Sequence, residues 1–529
     1  MAFEGIALTM SGGGYRAAAF HLGTLQMLER LGLRNRLRAL STISGGTIVG
    51  AAYVRSLVRE QPFPEFVEEF KRFLSSTNVI TKSLENLDET RVANGADVMP
   101  SLIRSAANVY ANEHFGEMRF AEVLDSKIPI SEISFNTTEF KTGRAFRFQT
   151  GLSRHIYSGN QDLKVKYESQ TNRSVRIADI VAASSCFPSG FEPMRFPSDF
   201  VWTEDHDLGA VRRELGKHVE KEIPLMDGGI FDNQGVDSII NIVKERQNQE
   251  FDLLIVSDSD PKKSDFFEFP VKPRAGWLTL QQTYLIVQLI IVLAAGSAIA
   301  IAVNLIMEYN APTLSWPAIF FLNIIPLSFS LAVFSIILWA RSLVADAILN
   351  IESKTEIPIR NSFRGVKIWE AVHFAGSRIG SLVVMSGSVF MKRIRDLGYE
   401  RIYSDRYLNS IALSTLIYGL DEDIKFQGKW SGLIEKADLQ PSKELRSVAK
   451  KARQYSTNLW FLTDDQTNLD NLIKCGEATL CYELLTFLLT QHLPALSKPE
   501  SAVARLFQNV KSTWKEMNEP SEVENKNEL

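Results

Sequence analysis

One internal stretch of the chain is nearly free of charge. Between Arg274 and Arg341 the only charged residue is Glu308, which separates two apolar, charge-free runs, residues 284–307 and 316–340. At about 1.5 Å of rise per residue, a helix of either length crosses the roughly 30 Å hydrocarbon core of a bilayer. A pair of core helices that is apolar on every face would need a very large domain to cover it. The stretch therefore predicts a transmembrane helical hairpin.

The basic residues predict how this hairpin is oriented. Its turn, residues 308–315, has no lysine or arginine, whereas basic residues flank the hairpin on both sides: Lys262, Lys263, Lys272 and Arg274 before it, and Arg341 and Lys354 after it. The positive-inside rule then places both flanking parts in the cytoplasm, so we expect an integral membrane protein with the lipid bilayer as a partner. A homo-oligomer through the hairpin is a hypothesis that rests on small and polar residues within it: Gly296, Ser297, Ala298, Gln288, Asn304 and Asn323.

Composition excludes some classes of partner. The 529 residues include 58 lysines and arginines and 62 aspartates and glutamates, a net charge of −4, so nothing favours nucleic acid as a partner. The three cysteines form neither a metal-ligand spacing nor an even disulfide set, which is typical of a reducing compartment. Because no calcium loop or zinc spacing is present, we expect no metal and no cofactor.

A serine lies where a predicted strand turns into a predicted helix. Residues 37–43 have the pattern of a strand and residues 47–58 that of an apolar helix, with Ser44 at the corner between them. This arrangement predicts a nucleophile elbow, whose usual pattern is G-x-S-x-G. Gly46 keeps the second glycine, whereas Thr42 replaces the first. Taken alone, such a serine also fits an ordinary loop or helix cap.

A second glycine-rich turn, Gly12, Gly13 and Gly14, follows the first predicted strand and precedes a helix. Bare N–H groups at such a turn bind an anion. A dinucleotide would need an acidic residue about 20 positions further on, but none occurs between Glu29 and Glu60. We therefore favour an oxyanion hole.

Asp227 follows an apolar run and precedes Gly228 and Gly229, so its side chain can project from a tight turn into a site. An ordinary Asp-Gly turn is the alternative for this segment taken alone. A catalytic triad would need a suitably placed histidine, but His21 and His373 lie in predicted helices, where we interpret them as packed or solvated residues. Further along, residues 455–462 resemble a strand and residues 467–492 a helix.

These pieces together resemble the patatin-like phospholipase family: Gly12 to Gly14 with Arg16, Ser44 with Gly46, and Asp227 with Gly228 and Gly229. The loop 183–188 and residues 467–481 are also similar to that family. The resemblance covers about residues 3–260 and returns after the hairpin. It implies an α/β fold, a three-layer α/β/α sandwich around a mostly parallel sheet, into which the hairpin is inserted.

The resemblance also implies roles for the site residues. Ser44 would be the nucleophile and Asp227 its base in a Ser-Asp dyad, Gly12 to Gly14 the oxyanion hole, and Arg16 a support for that loop. A carboxylate paired directly with serine is a weak base, so we expect a partly apolar site that raises the pKa of Asp227.

The expected domain organisation has four parts. Residues 1–270 form the first part of the catalytic domain, 275–345 the hairpin, 346–512 a mostly helical remainder of the catalytic domain, and 513–529 a disordered charged tail.

The expected function is a membrane-anchored serine lipid acyl hydrolase that cleaves fatty acyl esters of glycerophospholipids through an acyl-enzyme intermediate. Whether water or another alcohol accepts the acyl group stays open. The alternative from another class is a catalytically decayed, membrane-tethered binding or scaffold protein on the same fold, and a nucleotide-binding protein is a more distant one.

Overall fold

The computed structural model describes residues 3–93, 96–151, 157–188, 190–216, 222–246, 250–261, 279–310, 315–321, 367–421, 439–461 and 466–519, with 325, 328–329, 331–332 and 334–336. The chain divides into two compact units. One unit consists of residues 1–264 together with 387–529, and the other of residues 265–386.

The first unit is built around a ten-stranded sheet. Its strands are β1 (Ile6–Met10), β2 (Leu37–Ile43), β3 (Glu132–Glu139), β4 (Arg144–Gln149), β5 (Tyr157–Gly159), β6 (Lys164–Lys166), β7 (Met194–Phe196), β8 (Ile223–Asp227), β9 (Leu253–Asp258) and β10 (Ala412–Leu416). Their order is β10-β9-β1-β2-β3-β4-β5-β6, and β8 pairs with both β3 and β7. The centre, from β10 to β3, is parallel, and the other pairs are antiparallel. The predicted α/β class with a mostly parallel central sheet is confirmed.

Helices connect and cover these strands. They are α1 (Gly14–Arg30), α2 (Gly45–Val58), α3 (Phe63–Ser76), α4 (Val79–Glu85), α5 (Leu102–Tyr110), α6 (Phe120–Asp125), α7 (Gln170–Ser174), α8 (Ile177–Ser184), α9 (Leu208–Leu215), α10 (Val236–Glu245), α11 (Leu280–Asn310), α12 (Trp316–Ile319), α13 (Ile368–Val384), α14 (Phe390–Ser404), α15 (Arg406–Ile411), α16 (Lys443–Gln454), α17 (Gln466–Gln491), α18 (Leu493–Leu496) and α19 (Ala502–Asn518). Shorter 3₁₀ or π segments span Arg34–Arg36, Leu87–Arg91, Ala111–Phe115, Glu204–His206, Gly228–Ile230 and Met385–Val389. A separate two-residue pair joins Val92–Ala93 to Ala96–Asp97.

Both faces of the sheet are apolar and covered. Along β1, Ile6 and Leu8 belong to the larger hydrophobic cluster and Ala7 to a smaller one on the opposite face. This alternation follows from the two-residue period of a strand. The smaller cluster is completed by residues of α10, α14 and α15, so a helical layer lies on that face as well.

The sheet brings two strand ends together along one edge of β3. Ile43, the last residue of β2, pairs with Asn136, and Asp227, the last residue of β8, pairs with Thr137. β2 runs parallel to β3 and β8 antiparallel to it, so the two strands approach each other end to end along that edge. The loops that follow them therefore begin at neighbouring positions, and this is where the candidate site lies.

The segments predicted after residue 450 agree with the structure only in part. Residues 467–492 are helical as predicted, in α17, which packs closely on α1: a Cβ on Gly476 would lie 2.0 Å from the Phe20 carbonyl oxygen. Residues 455–461 form no strand. The predicted disordered tail starts too early at residue 513, because α19 continues to Asn518 and buries Trp514.

The predicted hairpin is described only in part. Helix α11 contains the first predicted run, and its segment Leu285–Met307 has 23 residues and a mean hydropathy of 2.6, with no part of its most apolar window buried. By length and composition, this helix can cross a membrane. The second run, residues 316–340, lies largely outside the described residues, so the hairpin stays a prediction.

Candidate active site

Ser44 occupies a strained turn between β2 and α2. Its φ of 49° is in the left-handed region that residues other than glycine rarely adopt. Such a conformation costs about 1–3 kcal/mol and persists only where the surrounding structure enforces it. The side chain does not cap α2. The strand–turn–helix predicted around Ser44 is present, and its hydroxyl is not used to cap the helix.

Two glycines let the start of α2 approach the glycine-rich turn after β1. A Cβ on Gly46 would lie 2.3 Å from the Met10 carbonyl oxygen, and one on Gly45 would lie 2.1 Å from that of Gly14. Neither separation is compatible with a side chain. The retained elbow glycine, Gly46, is therefore required by the contact of α2 with the end of β1.

Thr42 stands where the elbow pattern has its first glycine, and the helix makes room for it. A Cβ on Gly50, in the second turn of α2, would lie 2.5 Å from the Thr42 Cγ2 methyl group. The space between strand and helix is thus kept by a glycine on the helix instead of one on the strand. Thr42 does not distort the elbow.

Asp227 is buried at the end of β8, with 2% of its surface exposed. Its Oδ1 accepts a hydrogen bond from the Gly229 N–H at 2.8 Å. Its Oδ2 is buried and has no hydrogen-bond partner among the described residues. Burial raises the pKa of Asp227 to about 6, and the neighbouring Ser44 hydroxyl and the Gly229 N–H lower it by less. The structure therefore brings Ser44 and Asp227 together, in a site that makes the carboxylate more basic.

The turn after Asp227 also needs its glycines. A Cβ on Gly228 would lie 2.4 Å from the Asn136 carbonyl oxygen, and one on Gly229 would lie 2.5 Å from the Asn233 side-chain oxygen. Gly228 and Gly229 thus allow the Asp227 turn to lie directly against β3 and the loop that carries Asn233.

The three glycines of the candidate oxyanion loop differ in their hydrogen bonds. The Gly12 N–H donates to the Asn233 carbonyl at 3.0 Å, so it is not available to a substrate oxygen in this structure. A hydrogen bond from the N–H of Gly13 or Gly14 is not found within the described parts of the chain. Both have positive φ, 144° and 57°. Of the three predicted donors, Gly13 and Gly14 therefore stay candidates. Gly12 lies beside Ser44, because a Cβ added to Gly12 would be 3.2 Å from the Ser44 Cβ.

A distant loop holds this turn from behind. The Tyr15 N–H donates to the Asn458 carbonyl at 2.7 Å, and Arg16 Nη1 donates to the Tyr455 carbonyl at 2.9 Å. The bond from Arg16 to the Tyr455 carbonyl supports the predicted role of Arg16. Tyr455 and Asn458, which accept these two bonds, were predicted to lie in a strand. Nothing in their sequence pattern indicates this contact, which spans more than 400 residues of chain.

Arg16 is one member of a buried group of charges. Burial and the neighbouring Arg395 lower its pKa to about 10, while Asp260 and Asp258 oppose this effect. Arg395 lies 3.3 Å from Asp258 and 3.2 Å from Asp260. With a pKa of about 10, the Arg16 guanidinium stays charged at neutral pH, close behind the loop of Gly13 and Gly14.

His21 is a packed residue, as interpreted from the sequence. It is fully buried, with Nε2 3.0 Å from the Ser11 carbonyl oxygen and Nδ1 2.8 Å from the Ser257 hydroxyl. Burial lowers its pKa to about 4, so it is neutral at pH 7. The Ser11 carbonyl also accepts the Gly46 N–H at 3.2 Å. His21 therefore fixes the loop after β1, and both of its ring nitrogens are already engaged.

The fold and this geometry define an α/β domain with a serine at a strand–helix elbow beside a buried aspartate. Residues 8–240 match the model of the patatin-like phospholipase family. Residues 8–240, less than half of the chain, are therefore similar to a patatin-like phospholipase domain. No curated protein matches the sequence.

Three solved structures show the range of similarity. Human GIVD cytosolic phospholipase A2 is similar over 53% of this chain and 47% of its own, with 14% identity and a TM-score of 0.32. The structure of its complex with methyl gamma-linolenyl fluorophosphonate is similar over 97% of this chain and 59% of its own, with 11% identity and a TM-score of 0.39. VipD from Legionella pneumophila is similar over 99% of this chain and 89% of its own, with 12% identity and a TM-score of 0.22. The chain spans about half the length of the first of these structures.

The contact between Thr42 and Gly50 can be tested by stability. We expect Gly50→Ala to lower the free energy of unfolding by about 1–3 kcal/mol, because the added methyl group meets Thr42 Cγ2. In a Thr42→Ser background, which lacks that methyl group, the same change is expected to cost less than about 1 kcal/mol. Urea unfolding of the wild type, both single variants and the double variant measures this coupling. Equal costs in the two backgrounds would contradict the contact.

Proposed function

We propose that this protein is a membrane-anchored serine lipid acyl hydrolase that cleaves fatty acyl esters of glycerophospholipids with Ser44 and Asp227 as a catalytic dyad. One observation carries the proposal: the sheet brings Ser44 next to Asp227, a buried carboxylate whose pKa is raised to about 6 and whose Oδ2 has no hydrogen-bond partner among the described residues. A carboxylate with its ordinary pKa near 4 would be a poorer base toward serine. The patatin-like domain over residues 8–240 supports the same class of reaction.

In the proposed reaction Asp227 accepts the Ser44 proton while Oγ attacks the ester carbonyl carbon. The tetrahedral intermediate collapses by breaking the bond to the alkoxy leaving group, which takes the proton from Asp227. An acyl ester on Ser44 remains. Water then attacks this ester while Asp227 accepts its proton. The bond between the acyl carbon and Ser44 Oγ breaks, Oγ takes the proton back from Asp227, and the fatty acid is released.

The carbonyl oxygen becomes negative in both tetrahedral intermediates. The N–H groups of Gly13 and Gly14 are the proposed donors to it, at a turn that the Tyr15 and Arg16 bonds hold in place. The charge on Arg16 lies behind the same turn and favours a negative oxygen in front of it. Because these dipoles and this charge are fixed before substrate binds, they need no reorganisation during the reaction.

Two substitutions test the dyad. We expect Ser44→Ala to abolish hydrolysis of a phospholipid ester and labelling by a fluorophosphonate, and Asp227→Asn to lower kcat about 10²- to 10⁴-fold because the base is lost. Ser56→Ala is the matched control, since Ser56 lies in the α2 helix that follows Ser44 and its hydroxyl donates to the Tyr53 carbonyl of the same helix. Unchanged turnover in both variants would contradict the dyad. A wild-type protein that is neither active nor labelled would favour the decayed, membrane-tethered binding protein.

The raised pKa of Asp227 gives a pH dependence. The base must be ionised to accept the Ser44 proton, so kcat/KM is expected to be constant above about pH 7 and to fall as pH drops through about 6. Below that pKa the decrease approaches about tenfold per pH unit, because a single proton inactivates the base. A kcat/KM profile between pH 4.5 and 8 measures it. A profile that stays flat down to pH 4.5 would contradict a raised pKa at the base.

We further propose that the protein is integral to the membrane and that its catalytic unit faces the cytoplasm. The apolar segment Leu285–Met307 of α11 supports the membrane span, and the flanking lysines and arginines support the orientation. Anchoring would hold the enzyme at its lipid substrate and so raise the local substrate concentration.

Membrane integration is tested on the full chain expressed in cells. We expect the wild-type protein to stay with the membrane pellet after alkaline carbonate extraction, which removes peripheral proteins. Two arginines in the middle of the span, Ala295→Arg with Ala298→Arg, are expected to oppose insertion of that helix by about 5–7 kcal/mol. Complete release of the wild-type protein into the supernatant would contradict an integral anchor.

A further inference from the structure

Three buried hydroxyl groups form a chain behind the Ser44 elbow. Thr42 Oγ1 lies 2.9 Å from Thr47 Oγ1, which lies 2.8 Å from Ser184 Oγ. Ser184 Oγ donates to the Asn136 carbonyl at 2.7 Å and accepts the Ser44 N–H at 3.0 Å. The side chains of the three hydroxyl residues are fully buried. The chain thus connects the residue in place of the elbow glycine to the backbone of Ser44.

The direction of every bond in this chain follows from valence. A hydroxyl group has one hydrogen and two lone pairs, whereas a carbonyl oxygen can only accept. Ser184 must therefore give its hydrogen to Asn136, and its lone pairs accept from the Ser44 N–H and the Thr47 hydroxyl. Thr47 has then used its hydrogen and must accept one from Thr42. Every donor is used, so the network has a single arrangement and resists rotation of any one member.

The chain acts on the part of the elbow that is strained. Ser44 has a φ of 49°, and its N–H is buried, so an acceptor in a fixed position is needed to hold the turn. Ser184 Oγ is that acceptor. Its other partner, the Asn136 carbonyl, lies beside Gly228, where a Cβ would be 2.4 Å from it. The same network therefore touches the turn of the nucleophile and the turn of the base.

We propose that the Thr42–Thr47–Ser184 hydroxyl chain positions Ser44 for attack, and that Thr42 is a positioning residue at this elbow. This inference rests on the proposed function, because it assigns the chain a role in that reaction. A glycine at position 42 could supply space but no hydroxyl group. Here Gly50 supplies the space, and Thr42 supplies the first donor of the chain.

Thr47 gives the sharpest test, because it lies in the middle of the chain. Thr47→Val keeps the shape of the side chain and removes its hydroxyl, whereas Thr47→Ser keeps the hydroxyl. We expect Thr47→Val to lower kcat about 10- to 100-fold with KM within about twofold, because a misplaced nucleophile slows the reaction without weakening binding. Thr47→Ser is expected to restore most of this loss. The milder variant Thr42→Val, which removes only the first donor, is expected to lower kcat about fivefold.

The readout must separate positioning from loss of folded protein. We therefore refer kcat of phospholipid ester hydrolysis to the amount of Ser44 that a fluorophosphonate labels at completion, since misfolded protein lowers that amount and not kcat per labelled site. Wild-type kcat per site in Thr47→Val and Thr42→Val would overturn the positioning role, as would a loss in Thr47→Ser equal to that in Thr47→Val. A wild-type protein without hydrolysis or labelling would overturn the proposed function, and this role with it.

Discussion

The candidate site depends on one edge of β3 being shared by two strands. β2 and β8 pair with consecutive stretches of that edge from opposite directions, so that Ile43 faces Asn136 and Asp227 faces Thr137. The register of the backbone hydrogen bonds therefore determines the relative positions of the Ser44 and Asp227 side chains, which lie more than 180 residues apart in the sequence. Register in a sheet with both faces buried is strongly constrained, since a shift of one residue turns every side chain to the wrong face. The position of Asp227 relative to Ser44 is therefore as well determined as the core itself.

Burial of this meeting point has two electrostatic effects that act in the same direction. Removal from water raises the pKa of Asp227 toward neutrality, which makes it a better acceptor for a serine proton. In the proposed reaction, the same low-dielectric surroundings would strengthen the interaction of the Gly13 and Gly14 N–H groups and of the Arg16 charge with the developing oxyanion. Burial also has a cost, because charges such as Arg395 need partners, and Asp258 and Asp260 serve that purpose. The acidic residues of the β9 end thus belong to the support of the site.

Local patterns in the sequence identified the parts of the site that depend on local geometry. The elbow at Ser44, the glycine-rich turn and the Asp227 turn each need residues without a side chain where two backbones approach closely. The glycines at these turns are visible in the sequence itself. Residues that act through tertiary contact were not identified: Asn136, Ser184, Asn233 and Asn458. Their roles arise from backbone carbonyls and hydroxyls brought together by sheet register, which leaves no periodic signal. For the same reason residues 455–462 were predicted as a strand, although residues 455–461 form none, and β10 at Ala412–Leu416 was not predicted. Gly12 was predicted as an oxyanion donor together with Gly13 and Gly14, because the carbonyl that accepts its N–H, that of Asn233, lies 221 residues further along the chain.

Thr42 shows why a motif position and its physical requirement are not the same thing. The first glycine of an elbow pattern expresses a need for close approach between strand and helix, and that need is met whenever either partner lacks a side chain. Gly50 on the helix allows this close approach, so the residue at position 42 can have a side chain. A β-branched residue is favoured in a strand, and its hydroxyl finds a buried acceptor in Thr47. An exchange of this kind is recognisable from sequence only as a pair: a residue with a side chain at the elbow, and a glycine in the second turn of the following helix. The departure from the pattern at Thr42 is therefore an argument for an intact elbow, because decay of the site would not require the matching glycine.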